Sequence, residues 1–282
     1  MDRKILAVAI VSLMLVLAGC GEELSPKEVY DNGLVQMEQL ETASLSRTQT
    51  LRAQQESFRT SMDVDVQFSP LEMYGTIEMT LLNLKDPLLF FLYVDDDEWL
   101  TKPDRDGADW EANPREQLQD LVLEEPASLL NVFKPFQNEF LMKDVEMVYT
   151  EGEEEVDLLE EDVEVEEVAV DESEEVSISA YEVSFRGSDE KYKPLVRQHL
   201  EQMNLTDLQG VDLNAVMETV EIERIDMTAQ IEKETFDVHR FQTRFRYLVE
   251  VLDEYRVIDE SVIIRLNNHN EQIDFEQIRA AQ

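Results

Sequence analysis

From Val29 onward the apolar residues recur at helical spacing: Val29, Tyr30, Gly33, Leu34, Met37 and Leu40 share one face. Ser25 suits the N-cap, Pro26 the first helical position, and Glu28 completes a capping box. Together they predict a helix over 26–41. The period then drops to two. Met62, Val64, Val66 and Phe68 alternate with Asp63, Asp65 and Gln67, and Gly75, Ile77, Met79 and Leu81 alternate with Glu78 and Thr80. Such alternation predicts strands with one apolar and one wet face. Leu88 to Val94 is apolar on both faces, Asp95-Asp96-Asp97 turns the chain, and Glu98 to Thr101 returns, as in an antiparallel meander.

Two helical segments are expected next, across 114–133. Asn113-Pro114-Arg115-Glu116 repeats the cap logic ahead of Leu118, Leu121 and Val122, and Pro126 opens a second segment with Leu129, Leu130 and Phe133 inward. Strands resume over 140–149 and 176–185. Tyr192, Leu195, Val196, His199, Leu200 and Met203 then form an apolar stripe that predicts a helix over 189–203. After a stretch containing Leu213 and Val216, three long strands close the chain. Ile225, Met227, Ala229 and Ile231 alternate, as do Phe241, Thr243, Phe245, Tyr247, Val249 and Val251, and then Val262, Ile264 and Leu266. Helices interrupt an antiparallel sheet rather than alternating with parallel strands, so the expected class is α+β, in a single domain over 25–282.

The first twenty residues follow a different logic. Arg3 and Lys4 precede an apolar run from Ile5 to Ala18, broken by Ser12. That suits a signal-peptide core and is short for a transmembrane helix, which needs about 20 apolar residues. Leu17-Ala18-Gly19-Cys20 resembles the lipobox of bacterial lipoproteins. The resemblance implies a signal peptide over 1–19, a diacylglyceryl group on the Cys20 thiol, and a protein held on the extracytoplasmic face of the cell membrane. Residues 20–24 would be the tether, and Gly21 to Leu24 reach roughly 14–18 Å when extended. Cys20 is the one cysteine in the chain, so no internal disulfide is available.

Charge narrows the partners. The chain carries 64 acidic and 24 basic residues, a formal net charge of −40. Such a chain is a poor match for nucleic acid or anionic lipid head groups, which bind basic patches. The run from Glu151 to Glu175 holds fifteen acids and no base. Blocks of like charge repel themselves, so the expectation is a solvated loop between two strands, over about 151–175. It lacks the spaced ligands and turn glycine of an EF-hand loop, and no specific metal site is expected.

Catalytic signatures do not emerge. His199, His239 and His269 have no metal-ligand spacing. His199 reads as a buried or border residue on a helix face, and His239 as part of a surface strand. Nucleophile-elbow and phosphate-cradling glycine patterns do not occur. Trp99 reads as core packing and Trp110 as an exposed residue of a polar loop. The expectation is a non-enzymatic protein without cofactors.

Three segments carry a broader resemblance. The helix "LSPKEVYDNGLVQMEQLETAS", the hairpin "LYVDDDEWL" and the run "MTAQIEKETFDVHRF" resemble a group of uncharacterised Gram-positive lipoproteins, which in turn resembles the LolA/LppX type. The acidic insertion departs from that group's shorter loop. The resemblance implies a strongly curved antiparallel half-barrel, covered by helices, that binds a lipid or another apolar molecule in a cavity. Candidate cavity lining, taken from the alternating strand faces, is Met62, Val64, Val66, Phe68, Ile77, Met79, Leu81, Ile225, Met227, Phe241 and Phe245. The alternative is an envelope interaction module that meets a basic partner or cations through its acidic surface.

Overall fold

The computed structural model describes residues 24–53, 56–81, 86–114, 126–150, 175–202, 212–251 and 254–275. The signal-like run, Cys20, residues 115–125, Met203 and nearly all of the acidic run lie outside these residues.

Helix α1 (Pro26–Glu38) starts as its sequence dictates. The Glu28 backbone N–H donates to Ser25 Oγ at 3.3 Å, and the Ser25 backbone N–H donates to Glu28 Oε2 at 2.8 Å. These bonds satisfy N–H groups that a helix start otherwise leaves orphaned. Val29, Tyr30, Leu34 and Met37 are buried on one face, each contributing about 1.5–3 kcal/mol.

A strand that the apolar pattern does not announce comes next, β1 (Thr42–Ala53). The meander follows: β2 (Glu56–Phe68), β3 (Leu71–Leu81), β4 (Leu88–Asp95), β5 (Trp99–Pro103) and the two-residue β6 (Glu111–Ala112). Helix α2 (Ser128–Asn131) and a 3-10 turn over Lys134–Glu139 lead to β7 (Leu141–Thr150) and β8 (Glu175–Gly187). Helix α3 (Lys193–Gln202) enters through a 3-10 turn at Glu190–Tyr192, and α4 (Leu213–Thr219) precedes β9 (Glu221–Glu232), β10 (Val238–Val251) and β11 (Glu254–Asn267).

The described strands form one open antiparallel sheet in the order β6-β5-β4-β3-β2-β1-β11-β10-β9-β8-β7. Two meanders meet at a seam. The first walks outward from β1 to the β6 edge, the chain crosses to the other edge at β7, and the second meander walks back to β11, beside β1. Leu45 stands opposite Leu266, and Arg47 opposite Ile264, across the seam. Beyond its end, the Glu41 backbone N–H donates to Asn270 Oδ1 at 2.7 Å.

The architecture is mostly sheet, with fewer helices than a helix-covered α+β fold implies. Of the helical content expected over 114–133, the described part is one turn at α2, and α3 is shortened by its 3-10 entry. Two prolines, Pro126 and Pro135, and the aromatic run Phe133–Phe136 favour tight turns that wedge rings into the core over a continuous helix. Phe133 lies 5.9 Å from Phe185 and 6.3 Å from Phe241, and Tyr30 donates its hydroxyl to the Leu130 carbonyl at 2.6 Å. Helices α1 and α4 pack over β8–β10, and α3 lies against the same layer through buried Leu195, Val196 and Leu200.

Gly75 marks a close approach in the first meander. A Cβ there would stand 2.0 Å from the Asp63 carbonyl oxygen and 2.6 Å from Val64 Cα. Only a residue without Cβ lets β2 and β3 pass at this spacing.

On the opposite face, strands β8 to β11 carry ion pairs. Arg244 bonds Asp259 through two nitrogens, at 3.0 and 2.9 Å, Arg186 bonds Asp226 at 2.8 Å, and Arg246 bonds Glu223 at 2.6 Å. Three arginines are thus placed beside carboxylates on this face.

Candidate functional site

Register decides which side chains share the helix-covered face. Along β1 they are Ala43, Leu45, Arg47, Gln49, Leu51 and Ala53, because these stand opposite the core residues Val66, Val64 and Met62 of β2 and Leu266 and Ile264 of β11. Along β11 they are Ile258, Glu260, Val262, Ile264 and Leu266. Both central strands therefore break their apolar alternation with polar residues, and these meet.

Glu260 is 4% exposed, in the middle of an apolar face. His199, on α3, hydrogen-bonds it through Nε2, and Gln49 donates to its other oxygen through Nε2. Arg47 donates to Gln49 Oε1 at 3.1 Å. At the far end, His199 Nδ1 lies 3.0 Å from the Tyr247 hydroxyl. The imidazole also stacks on Phe245, with ring centres 4.4 Å apart and planes within 7°. The result is a chain of polar side chains, Tyr247–His199–Glu260–Gln49–Arg47, running from β10 through α3 across the seam to β1.

Burial alone would push the Glu260 carboxyl up. The His199 hydrogen bond and charge, then Gln49, then the charge of Arg47 more than reverse this, and the carboxyl is held below its ordinary value. Tyr247 moves the other way, raised by burial and by the Glu260 charge. An ionised carboxylate in such a place is costly unless fully bonded, and both of its oxygens have donors.

Beside the Arg47 end of this chain the inner face opens. Leu51, Met79, Leu81 and Phe90 are half-buried, while Phe58 and Leu88 are 43% and 40% exposed. They share the face with Arg47: Leu51 stands opposite Phe58 and Phe58 opposite Leu81, Met79 opposite Leu88, and Arg47, Met62, Ile77 and Phe90 form one cross-strand row. An apolar ledge at the ends of β1–β4 thus adjoins a fixed guanidinium.

The eleven candidate lining residues all fall on the inner face, in two environments. Met62, Val64, Val66, Ile77, Ile225, Met227, Phe241 and Phe245 are buried core, and Phe68, Met79 and Leu81 are half-exposed. Met79 and Leu81 belong to the ledge, whereas Phe68 lies at the opposite end of β2, facing Leu71. Arg47, Gln49 and Glu260 escaped the sequence reading. The signal that could have found Glu260 is its parity, since it sits two residues before Val262 on the face marked by Val262, Ile264 and Leu266.

The other histidines differ from expectation in part. His239 is buried rather than on a surface strand, with Nε2 3.1 Å from Glu232 Oε2 and its ring 4.9 Å from that of His269. The bend in the β9–β10 ladder near Val238 turns it in. Burial pushes the His269 imidazole down. Among the described residues, no group of three or more His, Cys, Asp or Glu is placed to hold a metal ion, and no helix is long and apolar enough to cross a membrane. Trp99 is buried, and Trp110 is half-buried with Lys102 Nζ 6.0 Å from its ring centre.

Comparison with known proteins gives little chemistry. Residues 142–276, from β7 to just beyond β11, match the model of a family of unknown function (DUF6612). No curated protein matches the chain. Among solved structures, the chain is similar to the Mycobacterium tuberculosis lipoprotein LppX, at 12% identity and a TM-score of 0.38, covering 88% of this chain and 97% of that one. It is also similar to a DUF1329 family protein from Desulfovibrio piger, at 10% identity and a TM-score of 0.23, covering 90% and 98%.

Proposed function

We propose that the protein is an exported lipoprotein, tethered to the membrane through Cys20, that binds a lipid or other apolar molecule on the inner face of its sheet and catalyses no reaction. The observation that carries the binding reading is the ledge. Large apolar side chains of β1–β4, Phe58 and Leu88 foremost, stay partly exposed on a face that is otherwise core. Apolar surface of that kind gains about 25 cal/mol for each Å² a ligand removes from water. The tether reading is supported by the basic start, the apolar run of Ile5 to Ala18 and the lone Cys20. Two acyl chains suffice for stable anchoring where one is marginal. The buried His199–Glu260 pair is bonded to Tyr247 and Gln49 and ties α3 to the sheet, which supports a structural role for it.

The test is mass spectrometry of small molecules extracted from the protein purified from its own host membrane. An apolar compound recovered at a constant ratio to protein, and lost when Phe58 and Leu88 are both replaced by Asp, is the expected result. Recovery unaffected by those replacements would overturn the assignment of the ledge.

A further inference from the structure

Resting on the reading of Cys20 as a lipid tether, we infer that the surface built by the start of α1, the 3-10 turn over Lys134–Glu139 and the 3-10 turn at Glu190–Tyr192 docks on the bilayer that the tether enters, against its phosphate-bearing head groups. Three short segments meet there. With its amide oriented to satisfy both, Gln137 accepts from Lys27 Nζ at 3.1 Å and donates to Asp31 Oδ1 at 3.0 Å. Tyr30 packs edge-on against Phe140, with ring centres 4.7 Å apart. Phe136 lies 5.3 Å from Tyr192, and Glu139 accepts from the Tyr192 hydroxyl at 2.5 Å and from Lys191 Nζ at 2.9 Å. The rings of Tyr30, Phe140 and Tyr192 are buried, while Lys27, Lys134, Asn138 and Lys191 are exposed.

Two observations choose this surface. The first is where the tether ends. Ser25 caps α1, and Gly21 to Leu24 span at most roughly 14–18 Å, so a bilayer that holds acyl chains on Cys20 passes close to the start of α1. The second is charge. Four of the nine lysines in the chain, Lys27, Lys134, Lys191 and Lys193, stand in or beside these segments, with five acids, Glu28, Asp31, Glu139, Asp189 and Glu190. Two of the lysines neutralise acids of the same surface: Lys191 pairs with Glu139, and Lys193 Nζ lies 3.9 Å from Glu190. The surface is thus close to neutral, in a chain with 64 acids and 24 bases. Charges further off than about 8 Å are largely screened at physiological salt, so head groups meet this local balance rather than the net charge of the whole chain. Lysines at such a surface are drawn to anionic head groups, and the paired acids do not repel them.

The experiment uses the lipidated chain, purified from membranes and reconstituted in vesicles of phosphatidylcholine and phosphatidylglycerol that carry a spin label on some head groups. A fluorophore is attached through Asn138→Cys, on the docking surface, or through Asp96→Cys, in the exposed β4–β5 turn on the other side of the seam. The spin label should quench the fluorophore at 138 strongly and the one at 96 little. Lys27→Gln combined with Lys134→Gln should lower the docked-to-undocked ratio about tenfold while the chain still floats with the vesicles. Thermal melts establish that each variant is folded. Hydrogen exchange of the unaltered chain needs no variant: amides of 26–31 and 134–139 should exchange more slowly on vesicles than in detergent, and those of 95–98 should not change. Equal quenching at the two positions, or equal exchange in the two media, in a chain that floats and whose Cys20 is acylated by mass, would overturn the docking surface and leave the tether standing. Quenching at 138 that survives the lysine replacements would overturn the head groups as its partner. A chain that does not float, with Cys20 unacylated, would overturn both the surface and the tether.

Discussion

His199 and Glu260 lie 61 residues apart in sequence and hydrogen-bond side chain to side chain, with 7% and 5% of those side chains exposed. One belongs to α3 and the other to the central strand β11, so the bond pins the helical layer to the middle of the sheet. Removing one partner leaves a buried charge or a buried imidazole unsatisfied. Glu260→Ala should therefore cost about 3–5 kcal/mol in urea unfolding, whereas the double replacement His199→Leu with Glu260→Leu should come close to neutral. Two single changes that each cost more than their combination would be the signature of the pair.

The same pair sets an acid limit on stability. The Glu260 carboxyl is held below its ordinary value of 4.5 in the folded chain. A carboxyl with a lowered folded pKa adds stability above its unfolded pKa, and that stability is lost as pH falls through the folded value. Urea midpoints followed downward from pH 7 should fall below about pH 4.5 more steeply in the unaltered chain than in Glu260→Gln. Parallel profiles would show that other carboxyls carry the whole acid response.

Gly75→Ala tests the closeness of β2 and β3. The added methyl meets backbone, the Asp63 carbonyl oxygen, at 2.0 Å, and no side chain can move aside to admit it. The expected loss is about 1–3 kcal/mol, read from the urea midpoint. A negligible change would mean that the first meander is looser than its register implies.

Ser25→Ala should cost about 1 kcal/mol by removing the N-cap acceptor of α1. Circular dichroism melts report it directly, and Ser25→Asp, which keeps an acceptor, should recover most of the loss.

Cys20→Ser should stop incorporation of labelled fatty acid and leave the precursor uncleaved, as gels of metabolically labelled cells would show. Equal labelling of both chains would remove the lipid tether from the account.

Periodicity made much of the fold legible, and its failures cluster where the chemistry lies. Capping residues mark the α1 start, alternation marks β2, β3 and β9 through β11, and an apolar run returning through Asp95–Asp97 marks β4 and β5, while β7 and β8 were expected over 140–149 and 176–185. Strand β1 was not, because its inward positions include Arg47 and Gln49, and two polar residues on a six-residue apolar face erase the period of two. Its strand character is enforced by pairing on both sides, with β2 and β11, which no local pattern can express. The same holds for Glu260, an acid among dozens, conspicuous only when register reveals which face it shares. Core and ledge were indistinguishable by alternation, since Met62 and Met79 follow the same rule and differ only in what lies above them.

The seam between β1 and β11 also fixes an order of events during synthesis. Strand β1 leaves the ribosome before its partner over 254–267, so one side of β1 waits as an open edge while the second meander is made. Open edges recruit other chains, and an inward-pointing charge is among the devices that discourage such recruitment. Arg47 and Gln49, flanked on the outer side by Ser46, Thr48 and Thr50, make the waiting edge a poor template for a stray apolar strand. A chain with apolar residues at 47 and 49 would therefore be expected to aggregate during production even if its completed sheet were more stable.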